Sequence, residues 1–198
     1  TEILLMQVEA ALKGGAAVIQ YRDKSSDQAL RLTQATALQA LCRRYDRPLL
    51  INDDIELALA VDAAGVHLGQ GDGDARSARL RLGPNAIIGI TCHDQLPLAL
   101  EAQQAGADYV AFGAFFSSST KPSAQAAPLP LLTAARRQLH VPIVAIGGIS
   151  SDNAELVIAH GAQMIALVGA LFGSSPLQPC DTEQRARELS QLFADAAL

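Results

Sequence analysis

One repeated order of residue types constrains this 198-residue chain more than anything else in it. A helical stretch stops at Gly or Pro, a short and mostly apolar run of about three to six residues follows, and polar residues close the unit. The unit recurs at Gly15, Pro48, Gly65, Pro84, Gly106, Pro142 and Gly161. The apolar runs do not alternate with polar residues, which marks strands buried on both faces, as in parallel sheets. Strands are expected over 17–21, 49–51, 66–68, 86–90, 108–112, 142–146 and 164–168. Helices are expected over 3–13, about 27–45, 55–63, 74–82, 94–105, 129–139, 152–160 and, at the end, about 181–197. Ser26 or Asp27 is positioned to cap the long second helix, and Asp152 the seventh. Alternating strands and helices at this length give either an open doubly wound sheet or a (β/α)8 barrel. Polar and charged residues follow nearly every strand rather than clustering at one crevice, and that favours the barrel, whose active site is built from all its βα loops. The expected fold is a single α/β domain over 1–198, a (β/α)8 TIM barrel. The repeat supplies seven strands and the chain opens with a helix, so an apolar first strand is expected upstream of Thr1.

The strand ends carry the chemistry. In Gln20-Tyr21-Arg22-Asp23-Lys24, strand alternation would put Gln20, Arg22 and Lys24 on one face. The chain has only three lysines, Lys13, Lys24 and Lys121, and a net charge of −5, so a cationic strand end suits a phosphate or diphosphate. Asp53 and Asp72 end two neighbouring strands. Two oxygen ligands plus phosphate is a common way of holding Mg²⁺; equally, Asp53 could cap the following helix and Asp72 could sit in a glycine turn. Hydroxyls and a lysine crowd the loop Ser117-Ser118-Ser119-Thr120-Lys121. Gly147-Gly148 and Gly169 follow the last two strands, where barrels bind phosphate through backbone N–H groups. Cys92-His93 does not read as a nucleophile and base, since neighbours on an extended strand point oppositely. His67, inside an apolar run, reads as a core histidine.

Several classes are excluded or disfavoured. The acidic balance argues against a nucleic-acid partner. No apolar run nears the ~18 residues needed to span a bilayer. No signal-peptide pattern opens the chain, and Cys42, Cys92 and Cys180 form neither a disulfide framework nor a zinc spacing, so a cytoplasmic location is expected.

Taken together, Gln20–Lys24, Ile51-Asn52-Asp53, Gly65-Val66-His67-Leu68-Gly69-Gln70 with Asp72, Gly106-Ala107-Asp108-Tyr109, Thr120-Lys121 and Ala145–Ile149 resemble the thiamine phosphate synthase family in order and spacing. The resemblance covers residues 3 to about 173. It implies a transferase that joins 4-amino-2-methyl-5-(diphosphooxymethyl)pyrimidine to 4-methyl-5-(2-phosphoethyl)thiazole, or its carboxylated form, giving thiamine monophosphate and pyrophosphate. It further implies that Gln20, Arg22, Lys24 and Asn52 hold the pyrimidine diphosphate, with Lys121 on the same phosphates, and that Asp53 and Asp72 ligate Mg²⁺. Thr91, where the family usually has Ser, would lie near the breaking bond. Ser118 and Thr120 would meet the thiazole substrate, and Gly148, Val168 and Gly169 would bind its phosphate. Arg22, Lys24, Thr91 and Lys121 are the implied catalytic set. Gly169 stands where the family has Ser, Ser118 where Thr is common, and Ala114 and Ser117 where Pro is usual. Two other readings remain: a thiazole tautomerase of the same superfamily, and a barrel that binds phosphorylated ligands without turnover.

Overall fold

The computed structural model describes residues 1–117, 126–173 and 178–196. In chain order these contain α1 (Glu2–Lys13), β1 (Ile19–Tyr21), α2 (Gln28–Arg44), β2 (Leu49–Asn52), α3 (Ile55–Ala60), β3 (Gly65–Leu68), α4 (Ala75–Leu82) and β4 (Ile87–Thr91). Then follow α5 (Leu96–Gln104), β5 (Tyr109–Phe112), α6 (Pro130–Gln138), β6 (Ile143–Ile146), α7 (Ala154–Ala159), β7 (Met164–Ala166), α8 (Gly169–Phe172) and α9 (Pro179–Ala196). Among the described residues, seven strands form one sheet in sequence order, β1 through β7. Every neighbouring pair is parallel. This is the expected TIM-type α/β fold with seven of its strands, and β1 and β7 are its two edges.

The apolar runs work as expected. Ile51, Val66, Leu68, Ile88, Val110, Phe112 and Ile143 are buried beneath the helices. Leu50, Tyr109, Ala111 and Val144 pack in a second cluster from the opposite face of the same strands. Burial on both faces is why these runs carry no polar alternation. Two helices, α2 and α3, begin where an aspartate satisfies an open N–H group: Asp27 accepts from Leu30 N at 2.9 Å, and Asp54 from Leu57 N at 2.9 Å.

Several boundaries differ from the sequence reading. Strand pairing starts at Ile19 rather than at residue 17, because Ile19 is the first residue in register with β2. Thr91 lies inside β4 and pairs with Ala111 instead of following the strand. At the start of α7 the cap position belongs to Asn153, not Asp152; Asn153 turns back to accept from Ser150 N at 2.9 Å and to donate to Gly148 O at 3.0 Å. The short α8 had no sequence signal. α9 has a clear packing role: it lies on α1, where Thr182 donates to Gln7 and a Cβ at Gly14 would come within 2.3 Å of Glu183 O.

Candidate active site

β2 delivers Asn52 and Asp53 to the end of the sheet. Asp53 adopts a left-handed backbone, φ +62°, which is uncommon for a residue with a side chain and recurs at functional sites. The capping role open to it in the sequence is taken by Asp54. The same division occurs after β3, where Asp74 caps α4 by accepting from Ser77 N at 2.9 Å and leaves Asp72 free of that task. Asp53 instead accepts from Asn52 Nδ2 at 2.6 Å, from Gly69 N at 3.3 Å, and from Lys24 Nζ. Burial would raise its pKa, but the hydrogen bonds from Lys24 Nζ and the Gly69 N–H, and the Lys24 charge, hold it below the ordinary aspartate value. A Cβ built on Gly69 would lie 2.6 Å from Asp72 Oδ2 and 4.0 Å from Asp53 Oδ1. The two carboxylates therefore face a common space that stays open because residue 69 has no side chain. Two hard oxygen donors beside that space fit Mg²⁺, which keeps waters and substrate oxygens as its remaining ligands. Among the described residues no larger cluster of His, Cys, Asp and Glu forms a self-sufficient metal cage.

These carboxylates line a cleft of about 440 Å³ that also takes in Lys24, Ser25, Arg31 and Asn52. Arg31 donates to Asp54 Oδ2 at 2.7 Å, tying α2 to the start of α3. Gln20 is exposed between buried Ile19 and Tyr21 on β1. Because β1 ends at Tyr21, strand alternation accounts for Gln20 alone. Lys24 reaches the site through a turn in which Asp23 accepts from Ser25 N at 2.7 Å. Arg22 is exposed and makes no ion pair with a described residue.

β4 supplies Thr91, half-buried, whose carbonyl accepts from Gln70 Nε2 at 2.6 Å and whose hydroxyl lies 2.7 Å from His67 Nε2. His67 is the buried histidine its apolar run predicted, 7 % exposed. Burial lowers its pKa to about 4, so its ring is neutral at pH 7. Its Nδ1 lies 2.7 Å from Tyr109 Oη. Sequence reasoning missed this pairing. The available signal was Gly89 inside a buried strand, since such a glycine often marks a close approach. Cys92 is buried, and burial pushes its thiol up to about 12, which removes it as a nucleophile at neutral pH.

At the far side of the sheet, Gly147 and Gly148 follow β6 with φ +89° and +66°. A Cβ on Gly148 would come within 2.5 Å of the carbonyls of Phe116 and Ser117, so glycine is required both for the turn and for the loop that packs on it. Val168 is exposed at the N-cap position of α8, and Gly169 opens that helix. Ser118, Thr120 and Lys121 lie outside the described residues. The structure thus brings Lys24, Asn52, Asp53 and Asp72 together, and places Thr91 on the strand beyond β3, joined to it through His67.

Known proteins of similar sequence and similar fold point to one family. The sequence model of the family described as thiamine monophosphate synthase matches residues 1–171. A thiamine-phosphate synthase of Thioalkalivibrio sulfidiphilus is 54% identical over 192 residues, covering 97% of this chain and 89% of that protein. A protein of the same name from Marinobacter nauticus is 54% identical over 193 residues, covering 98% and 85%. The solved structure of thiamine phosphate pyrophosphorylase from Pyrococcus furiosus superposes with a TM-score of 0.85 at 34% identity, covering 99% of this chain and 91% of that one.

Proposed function

This chain belongs to the thiamine monophosphate synthase family, and on that premise we propose that it condenses the pyrimidine diphosphate with the thiazole phosphate, releasing pyrophosphate and forming thiamine monophosphate. The observation that carries the proposal is the convergence of Lys24, Asn52, Asp53 and Asp72 around one polar cleft. A tautomerase acting on the thiazole phosphate alone has no need of that diphosphate-binding set.

In this reading Asp53 and Asp72 hold Mg²⁺, which when bound neutralises charge on the departing pyrophosphate. Lys24 and Arg22 supply further positive charge to the same phosphates, and Lys121 joins them. Asn52 and Gln20 orient the pyrimidine. Its electron-rich ring stabilises the benzylic-type cation left when the carbon–oxygen bond breaks, and the thiazole nitrogen then donates its electron pair to that carbon. Ser118 and Thr120 position the thiazole, while the backbone of Gly148, Val168 and Gly169 receives its phosphate. Catalysis is then mostly charge neutralisation and alignment, with no general base required. Gly169 lacks the hydroxyl of the family's usual Ser but keeps its N–H for the phosphate. Residues 1–198 are taken as one working domain, supported by the packing of α9 on α1. Among the described residues no helix is long and apolar enough to cross a membrane, and the substrates are small phosphorylated molecules.

The test is direct: incubate the protein with both substrates and Mg²⁺ and follow thiamine monophosphate. Turnover that vanishes with EDTA, and that falls by orders of magnitude in Asp53→Ala and in Asp72→Ala while the fold survives, is expected. Full activity in EDTA overturns the metal assignment, and no product under any condition overturns the function.

A further inference from the structure

A row of residues crosses the middle of the sheet at one level. His67 on β3 is in register with Gly89 on β4, and Gly89 with Tyr109 on β5. A Cβ at position 89 would lie 1.9 Å from Tyr109 Cζ and 2.3 Å from its Oη. Only glycine there lets the tyrosine ring lie across β4. The ring reaches His67 and stacks on it, with centroids 5.5 Å apart and planes inclined by 23°. The result is a buried chain of hydrogen bonds, Tyr109 Oη to His67 Nδ1 and His67 Nε2 to Thr91 Oγ1, each 2.7 Å long.

Buried, with a neutral hydroxyl and no carboxylate against each ring nitrogen, His67 is a neutral imidazole, with one N–H and one bare nitrogen, so the chain can run in only two directions. In one, Nδ1–H donates to Tyr109 Oη and Thr91 donates its hydroxyl to a bare Nε2. The hydrogen of Tyr109 would then need another acceptor, and Tyr109, 8% exposed, has none among the described residues. A buried donor left unmade is costly. In the other, Tyr109 O–H donates to Nδ1, and Nε2–H donates to Thr91 Oγ1. Every polar atom of the chain is then satisfied, and one hydrogen is left over: that of the Thr91 hydroxyl, on a half-buried side chain at the end of β4, bonded to the residue that pairs with Asn52 of the cleft.

We infer that Tyr109 fixes His67 in the Nε2–H form and thereby turns Thr91 into an outward hydrogen-bond donor, aimed at an anionic oxygen of the diphosphate substrate. Tyr109 and His67 are positioning residues that act through Thr91. The target of the donor rests on the functional reading above; the tautomer does not. Gln70 completes the arrangement by holding the Thr91 carbonyl, so that backbone and side chain are both restrained.

Two measurements test this. Long-range proton–nitrogen correlation spectra of protein labelled with ¹⁵N-histidine read the tautomer without any substrate. A protonated Nε2 and a bare Nδ1 at His67 are expected, and a bare Nε2 overturns the inference. The second is a double-mutant cycle in the condensation assay. Tyr109→Phe keeps the ring over Gly89 and removes only the hydroxyl; it should lower kcat about threefold to tenfold, the worth of one modest hydrogen bond, with KM for both substrates nearly unchanged. In a Thr91→Val background the same change should have almost no further effect, whereas Thr91→Ser should retain the full effect. Equal losses from Tyr109→Phe in the Thr91→Val and wild-type backgrounds overturn the coupling. If no thiamine monophosphate forms at all, the functional reading fails and the spectra alone decide the tautomer.

Discussion

Replacing Gly69 by alanine tests the metal assignment without touching either carboxylate. The new Cβ would lie 2.6 Å from Asp72 Oδ2, so that oxygen must retreat by about 0.8 Å to reach an ordinary contact at 3.4 Å. Asp53 Oδ1, at 4.0 Å, need not move. The fold should tolerate this, because Asp72 is an exposed side chain with room to turn away and Gly69 is not in the left-handed region. Alanine also restricts the unfolded chain, which favours folding by roughly 0.4–1 kcal/mol where the backbone conformation suits it. Mg²⁺ is far less forgiving. It demands ligands at about 2.0–2.1 Å in near-octahedral geometry, and functional constellations tolerate displacements of only about 0.5 Å. The half-saturating Mg²⁺ concentration for thiamine monophosphate formation should therefore rise about 10- to 100-fold, while the thermal midpoint shifts by no more than a few degrees. An unchanged Mg²⁺ titration in a normally folded Gly69→Ala protein would show that Asp72 does not ligate the metal.

Three further outcomes are expected. Lys24→Ala and Arg22→Ala should weaken the pyrimidine diphosphate about ten- to hundredfold with little effect on thiazole phosphate, and Ser118→Ala and Thr120→Ala the reverse; equal losses for both ligands in all four variants, by calorimetry, would refute the partition. His67 titrates near 4 when folded against 6.5 when free, so its neutral burial stabilises the fold fully above about pH 6.5 and that contribution fades as pH falls through 4. Relative to His67→Gln, the wild type should lose roughly 3 kcal/mol of stability between pH 7 and pH 4, and parallel denaturant curves across that range would contradict it. Asp27→Ala removes the cap on α2 and should cost about 1 kcal/mol of stability in urea melts with turnover unaltered; a change in KM would show that α2 shapes the cleft more directly.

What the sequence determined alone was the architecture and the end of the sheet at which its polar residues collect. Seven apolar runs without alternation, each entered through Gly or Pro, require strands covered on both faces, and parallel strands joined by helices meet that requirement. Because such strands share one direction, whatever follows them collects at one end of the sheet, which is why the polar strand ends were legible as a site. Element edges were less so. β1 begins only where it finds a partner in β2, and Thr91 belongs to β4 because Ala111 pairs with it; neither pairing is visible along the chain.

Tertiary structure alone decided which of several similar residues does what. In the runs Asn52-Asp53-Asp54 and Asp72-Gly73-Asp74, composition cannot say which aspartate caps a helix and which faces the cleft. The answer depends on where the first helical N–H groups point, and they select Asp54 and Asp74. His67 could be read as buried from its apolar neighbours, but its partner Tyr109 is 42 residues away. Strand register brings the two to one level, and the bare backbone of Gly89 lets them touch. Periodicity is a local property of a chain, written every two or four residues. Hydrogen-bond partnership across a sheet depends on register and on the space between strands, and those exist only once the strands have been laid side by side.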